Sequence, residues 1–469
     1  MRTLLACCLI TLASLTSSRP LLADEERPNV LVIVLDDAGY HDFGFMGNAL
    51  MATPNIDRLA ASGMVFLDAH LSGTTCSPSR AGLMTGRYQQ RFGHHNNVPP
   101  HGCGMDPGEK TLGDTMRAGG YRTYYVGKWH LGATDPYHPN NRGFDEFHGL
   151  LEGSRSYFPD EKHDTPGDDR AIQRNGEHVR WDGYLTDHLT DAAIELLNQP
   201  REQPFAMVLS YTAPHTPMHA KPEHLAKFAD HPRPKLAAMT WSADEGIGRV
   251  LGKLEELGER DNTLVFFLSD NGGALASGAD NSPLKGYKGT EFEGGQRTPF
   301  IVSWPGKIEA GSSFDGLVSA LDILATAAAA AGVTTPVGKP LDGVDLLPFA
   351  LGEQSGDPHP HLFWRRSREH SVRAGDFKLI GHDQAGWRLY NVAEDIGETR
   401  DLTADQPELA ASLRAKLDDF ESQLVEPQWS ESEQWEDVKA EMYRAWLRNK
   451  EPRYTDPWGM RRWREANRD

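Results

Sequence analysis

The stretch Asn29-Val30-Leu31-Val32-Ile33-Val34-Leu35-Asp36-Asp37 is an unbroken apolar, largely β-branched run that stops at two adjacent carboxylates. A run without polar alternation reads as a strand buried on both faces, the environment of a parallel sheet covered by helices. Comparable runs recur at Met64 to Ala69, Tyr121 to Val126, Phe205 to Tyr211, Thr263 to Ser269 and Phe300 to Trp304. Helical patterns lie between them. Thr53-Pro54 opens one that Gly63 closes, and Lys110 to Ala118, Asp187 to Leu197 and Ala243 to Leu257 carry others. This alternation predicts an α/β fold with a large mixed, mostly parallel sheet flanked by helices.

From about His359 the pattern changes. His361 to Trp364, Ser371 to Ala374, Phe377 to Ile380 and Trp387 to Tyr390 are short strands joined by tight turns, followed by a helix from Pro407 to Leu424. They predict a smaller C-terminal antiparallel sheet plus helix. The tail from Glu426, rich in Trp, Arg and Glu, reads as a helix held to the body by its aromatics. Residues Asp160 to Trp181 are polar and read as an irregular excursion, and Leu321 to Ala331 as a packed helix.

With 469 residues the chain can form one large α/β domain plus a smaller one. A net charge of -19 argues against nucleic-acid binding, although a basic cleft can still hold an anion inside an acidic protein. Arg2, the apolar stretch Leu4 to Leu15 and Leu21-Leu22-Ala23 before Asp24 read as a secretory signal peptide, residues 1–23, too short to span a membrane. Leu4-Leu5-Ala6-Cys7 also resembles a lipobox, with little apolar sequence before it, so lipid anchoring is the second reading. The expected location is periplasmic or secreted, with no membrane span. Cys7 and Cys8 leave with the signal; Cys76 and Cys103 remain and would form a disulfide in an oxidising compartment unless Cys76 is modified.

The chemical groups gather at one kind of place. Asp36 and Asp37 follow the first strand, Lys128 and His130 the Tyr121 strand, His215 the Phe205 strand, and Asp270 and Asn271 the Thr263 strand. Ligands of open α/β sheets bind at the carboxyl ends of strands, so these groups should share one pocket. Asp36, Asp37, Asp270 and Asn271 are hard oxygen donors, suited to Ca²⁺ or Mg²⁺ rather than Zn²⁺. Lys128 and His130, two apart, would lie on one side of an extended segment.

Cys76-Ser77-Pro78-Ser79-Arg80, running on through Ala81-Gly82-Leu83-Met84-Thr85-Gly86-Arg87, reads as a nucleophile position just ahead of a helix. Ser77 is a good N-cap, Pro78 fits the first turn and Gly86 ends the helix. This stretch resembles the signature of the formylglycine-dependent sulfatases, of the alkaline-phosphatase-like superfamily. Gly127-Lys128-Trp129-His130-Leu131-Gly132, Pro214-His215, the segment from Lys288 to Pro299 and the Asp36, Asp37, Asp270 and Asn271 set match that family in order.

The resemblance implies a sulfuric ester hydrolase. Cys76 would be oxidised to formylglycine (3-oxoalanine) by a formylglycine-generating or anaerobic maturase, and its hydrate would be the nucleophile. Asp36, Asp37, Asp270 and Asn271, with residue 76, would bind the cation, usually calcium. Lys128 would hold nucleophile and sulfate, His130 would be the base, His215 would aid the leaving oxygen and Lys288 would approach the bridging oxygen, with Arg80 a further donor. Lys285 stands where an arginine is common, and Glu293 and Arg297 would brace the loop. Residues 24–355 would form the catalytic domain and 356–469 the C-terminal subdomain with its helical tail. Residues 88–105, with His94, His95 and Asn96, and the excursion from Ser154 to His178 would shape substrate choice. A sulfated carbohydrate is the expected partner; a phosphonate or phosphodiester hydrolase on the same scaffold, or a non-catalytic polyanion-binding protein, are the alternatives.

Overall fold

The computed structural model describes residues 27–335, 339–431 and 433–450. The signal segment, with Cys7 and Cys8, lies outside the described residues, as do residues 451–469 of the tail. The strands of the first part are β1 (Asn29–Leu35), β2 (Met64–Phe66), β3 (Ala69–His70), β4 (Arg122–Lys128), β5 (Glu146–Leu150) and β6 (Gln173–Arg174). They continue with β7 (Glu177–His178), β8 (Phe205–Ser210), β9 (Thr263–Ser269), β10 (Phe300–Ser303), β11 (Ser312–Phe314) and β12 (Val318–Ser319). Ten of them form one sheet in the order β11-β2-β10-β9-β1-β8-β4-β5-β6-β7. β9, β1, β8, β4 and β5 run parallel, whereas β10 is antiparallel to β9 and β2.

Successive residues of a strand face opposite sides, and β1 shows the consequence. Val30, Val32 and Val34 pack with helices Cys76–Thr85, Leu112–Ala118 and Asp322–Ala330. Leu31, Ile33 and Leu35 pack with Pro54–Ala61, Leu185–Leu197 and Pro234–Glu256 on the other face. Both layers are buried, which is why the run needs no polar residue before Asp36. Among the described residues no helix is long and apolar enough to cross a membrane.

The second sheet is antiparallel, with β13 (Leu362–Arg366), β14 (Glu369–Ala374), β15 (Phe377–His382) and β16 (Gly386–Asn391) in sequence order. Helix Pro407–Glu421 covers one face through Leu413, Leu417 and Phe420 against Val372, Leu379 and Leu389. Helix Glu433–Trp446 packs Tyr443 and Trp446 against Phe292, the aromatic attachment expected of the tail.

Some boundaries differ from the sequence reading. The helix expected from Ala243 starts at Pro234, where proline supplies the first turn. The Met64 to Ala69 run splits into β2 and β3, and the excursion contributes the small β6-β7 hairpin to the sheet edge.

β3 and β12 pair as a separate two-stranded sheet. Glu293 ties it to the antiparallel sheet. Its buried carboxylate accepts from Lys378 Nζ at 2.7 Å, and it also meets His70 Nε2 at 3.1 Å and Arg297 Nη1 at 3.3 Å. Burial opposes its ionisation, but Lys378 and His70 outweigh it and hold the carboxyl well below 4.5. A depressed carboxyl contributes stability above its unfolded value, and that contribution fades as pH falls through the folded one. Glu293→Gln is therefore expected to cost about 3–5 kcal/mol at neutral pH by denaturant unfolding. The gap to wild type should narrow only below pH 4.5.

Candidate active site

Four neighbouring parallel strands, β9, β1, β8 and β4, end at one edge. Each delivers the groups the sequence placed there. Asp36 and Asp37 leave β1, and Asp37 takes a left-handed φ of 66°, a conformation Asp tolerates better than bulky residues. Lys128 is the last residue of β4. Gly127 before it has φ 109°, and a Cβ there would meet Ser210 O at 1.8 Å, so only glycine lets β4 and β8 close up beneath the site.

The Cys76 helix packs on the sheet face of Val30, Val32 and Val34, and here the sequence reading needs correction. Thr75, not Ser77, stands at the N-cap, so Cys76 is the first helical residue rather than one lying ahead of the helix. The Ser77 hydroxyl is already committed: it donates to His130 O at 2.6 Å and lies 2.6 Å from His94 Nε2. Gly86 ends the helix in the left-handed region, as expected.

These elements converge. Cys76 Sγ lies 3.5 Å from Asp36 Oδ1, 4.0 Å from Asp37 Oδ1 and 3.0 Å from Lys288 Nζ. Lys288 also donates to Asp37 Oδ1 at 2.6 Å, and Lys128 Nζ to Asp36 Oδ2 at 2.6 Å. Arg80 Nε donates to Asp270 Oδ2 at 2.8 Å, and its Nη1 to Ser210 Oγ and Lys128 O. Asn271 Nδ2 donates to Asp37 Oδ1 at 2.7 Å. His215 Nε2 stands 3.5 Å from Asp37 Oδ2, while its Nδ1 faces Thr216 O.

His130 is buried beside this group, but not by strand alternation. Its φ is 60°, so the chain has left the extended region, and its ring lies over Gly153, where a Cβ would come within 2.6 Å. Cys76 and Cys103 are both free thiols.

The electrostatics follow from burial. Burial opposes Asp36 ionising, yet Lys128, His215 and Arg80 outweigh it and hold the carboxyl far below the usual range. Asp37 is lowered in the same way by Lys288 and His215. Asp270 is pushed up by burial and by Asp36. Burial and then Asp270 push the Cys76 thiol up to about 12, so as a plain cysteine it is not an activated thiolate. Burial, Lys128 and Arg80 keep His130 neutral.

Three carboxylates (Asp36, Asp37, Asp270) thus face three cations (Arg80, Lys128, Lys288). Arg80→Ala would strand Asp270 in a dry site and is expected to cost about 3–5 kcal/mol, read by denaturant unfolding.

Four of these groups are also spaced so that they could hold a metal ion. Asp36, Asp37, Cys76 and His215 each offer a ligand atom within 4.8 Å of the others. The Asn271 Oδ1 is buried with no hydrogen-bond partner, an acceptor left for something else. A second cluster, Asp68, His70 and Glu293, has similar spacing but is filled by Arg297, Arg373 and Lys378.

Sequence reasoning missed Ser210, which holds Arg80, and Asn97, whose Oδ1 accepts from Ser77 N. No motif marks either; only the strand register and loop path reveal them. His94 and His95 are turned inward, to Ser77 and to Val425 O, and burial lowers them to about 3 and about 4. Lys285 instead donates to Glu398 O, in the loop after β16, and to Trp446 O in the tail.

Residues 28–333 match the family described as Sulfatase, and residues 288–423 the one described as N-sulphoglucosamine sulphohydrolase, C-terminal. The chain is 34% identical over 385 residues to the N-acetylgalactosamine-6-sulfatase of Canis lupus familiaris, covering 75% of this chain and 71% of that one. It is 32% identical over 400 residues to the uncharacterized sulfatase YdeN of Escherichia coli (strain K12), covering 73% and 70%. A solved structure of Ps i-CgsB in complex with k-i-k-neocarrahexaose superposes with a TM-score of 0.81 at 35% identity, covering 87% of this chain and 95% of that one. The chain belongs to the sulfatase family, in the alkaline-phosphatase-like fold, and is a sulfuric ester hydrolase.

Proposed function

We propose that the enzyme removes sulfate from a sulfated carbohydrate, with residue 76 as a formylglycine hydrate and a divalent cation, calcium or magnesium, beside it. The observation that carries this reading is the contact of Cys76 Sγ with Lys288 and the Asp36-Asp37 pair. The similarity to an N-acetylgalactosamine-6-sulfatase and to a sulfatase solved with a neocarrahexaose supports a carbohydrate ester.

Asp36, Asp37, Asp270, Asn271 and residue 76 would hold the cation, which when bound supplies positive charge to oxygens of the sulfate. The protein's own charges cancel three against three, so a dication leaves the pocket net positive and matched to an anion. As formylglycine hydrate, residue 76 offers one hydroxyl to attack sulfur and a second whose deprotonation releases sulfate; a serine would be left as an inert sulfate ester. Lys128 fixes Asp36, and Arg80 fixes Asp270. His130, neutral and buried, is the base for the second hydroxyl. His215, at the mouth, gives a proton to the leaving oxygen, and Lys288 stabilises charge there. A maturase must supply the oxidation of Cys76, and an N-terminal signal would deliver the protein to the periplasm or outside.

Turnover of sulfate, phosphate and phosphonate esters by the mature protein tests the reading. Faster release from sulfate esters is expected. Faster phosphate or phosphonate turnover overturns it, and no turnover with tight polyanion binding favours a binding protein.

A further inference from the structure

A cavity of about 540 Å³ is lined by Thr75, the neighbour of Cys76, and by Lys288, whose Nζ lies 3.0 Å from Cys76 Sγ. The excursion from Ser154 to His178, expected to shape substrate choice, contributes nothing to its lining; Asn96, Asn97 and Val98 do. Much of the wall comes from the C-terminal tail, with Trp429, Met442 and Trp446 among its lining residues. Trp429 is fixed edge-on against His94 at 4.7 Å, and its carbonyl accepts from Asn96 Nδ2 at 2.6 Å. Tail and loop therefore form one surface. Aromatic and thioether walls suit the apolar face of a pyranose ring.

The charges of this cavity are already spent. Arg366 Nη2 pairs with Glu431 Oε1 at 2.6 Å. Lys439 Nζ pairs with Glu369 at 2.9 Å, Glu431 at 3.1 Å and Glu436 at 2.8 Å. Glu291 is buried behind them, pushed up to about 7 by burial and by Glu369. Against these two cations stand three carboxylates even when Glu291 carries its proton. Lys288, the remaining cation of the lining, is held by Asp37.

We propose that this cavity selects a neutral, monosulfated sugar residue: tail side chains cover the ring that bears the scissile sulfate, and among the described residues no uncommitted cation remains for a second sulfate or a carboxylate. The inference rests on the carbohydrate-sulfatase reading above. Of Glu431, Glu369 and Glu436 only Glu431 lines the cavity, so a second anion on the ring could be held only by breaking the buried Arg366 or Lys439 pairs, which would strand their carboxylates.

The test compares kcat/KM of the mature enzyme on 4- and 6-sulfates of galactose and N-acetylgalactosamine, their 4,6-disulfates and p-nitrophenyl sulfate. The best monosulfate should exceed its disulfate by about 10-fold or more. Trp429→Ala should lower the sugar-to-aryl selectivity about 10-fold, mainly through KM. Glu431→Gln, which releases Arg366, should raise the relative rate of the disulfate about 5-fold. The wild-type ratio needs no variant and decides the matter if either substitution harms folding. A disulfate preferred by the wild type overturns the inference, as does aryl turnover without any sugar turnover, or a selectivity unmoved in folded variants. The first and last of these leave the carbohydrate-sulfatase reading intact, whereas aryl turnover alone also removes its carbohydrate part. Failure to release sulfate from every ester overturns both.

Discussion

Cys76→Ala should lower sulfate release by at least about 10⁴-fold in kcat while the protein still folds. The side chain is 1% exposed and small, so its loss removes one sulfur atom from a wall otherwise held by Asp36, Asp37 and Lys288. Thermal unfolding should therefore move little. Among the described residues no other serine or cysteine side chain hydrogen-bonds to this carboxylate set: Ser77 is tied to His94 and to His130 O, and Cys103 is elsewhere in the chain and only partly buried. Cys76→Ser sharpens the result. If its hydroxyl attacks at all, the product is a stable serine sulfate ester, so at most one equivalent of sulfate is transferred and turnover stops. Sustained turnover by the alanine variant is incompatible with the mechanism.

The second large effect is expected at Asp37, the most connected residue of the site. Lys288, Asn271 and His215 all meet its carboxylate. Asp37→Ala removes a hard donor and leaves three cations facing two carboxylates, which disfavours a bound dication. Activity should fall about 10³-fold or more, and the metal content of the purified protein, measured by elemental analysis, should fall with it. The Asp68, His70 and Glu293 cluster gives the contrast. Its charges are met by Arg297, Arg373 and Lys378, so Glu293→Gln should lose stability yet keep its metal. Metal lost from the Glu293 variant and kept in the Asp37 variant would reverse the assignment of the two clusters.

The fold was legible where local pattern is set by burial. β1 and β9 begin and end where their apolar runs do, because a strand covered on both faces admits no polar residue until the sheet edge. The convergence of Asp36, Lys128, His215 and Asp270 was legible for the same reason: each follows such a run, and the four strands prove to be consecutive neighbours. What needed coordinates was tertiary. The antiparallel direction of β10 leaves no mark in Phe300 to Ser303. Ser77 has the right chemistry for a cap, but His94 and the carbonyl of His130 compete for its hydroxyl and win. His130 was expected beside Lys128 by two-residue spacing; it arrives there through a left-handed turn packed on Gly153. Trp429 and Trp446 read only as tail aromatics, because nothing local says that the tail returns to the mouth of the site.

The most direct measurement is mass spectrometry of the tryptic peptide spanning residues 59–80, from protein made in its native host. An aldehyde or its hydrate at residue 76 is the expected species. An unmodified thiol there in fully active enzyme, or a bridge to Cys103, would contradict the proposed chemistry.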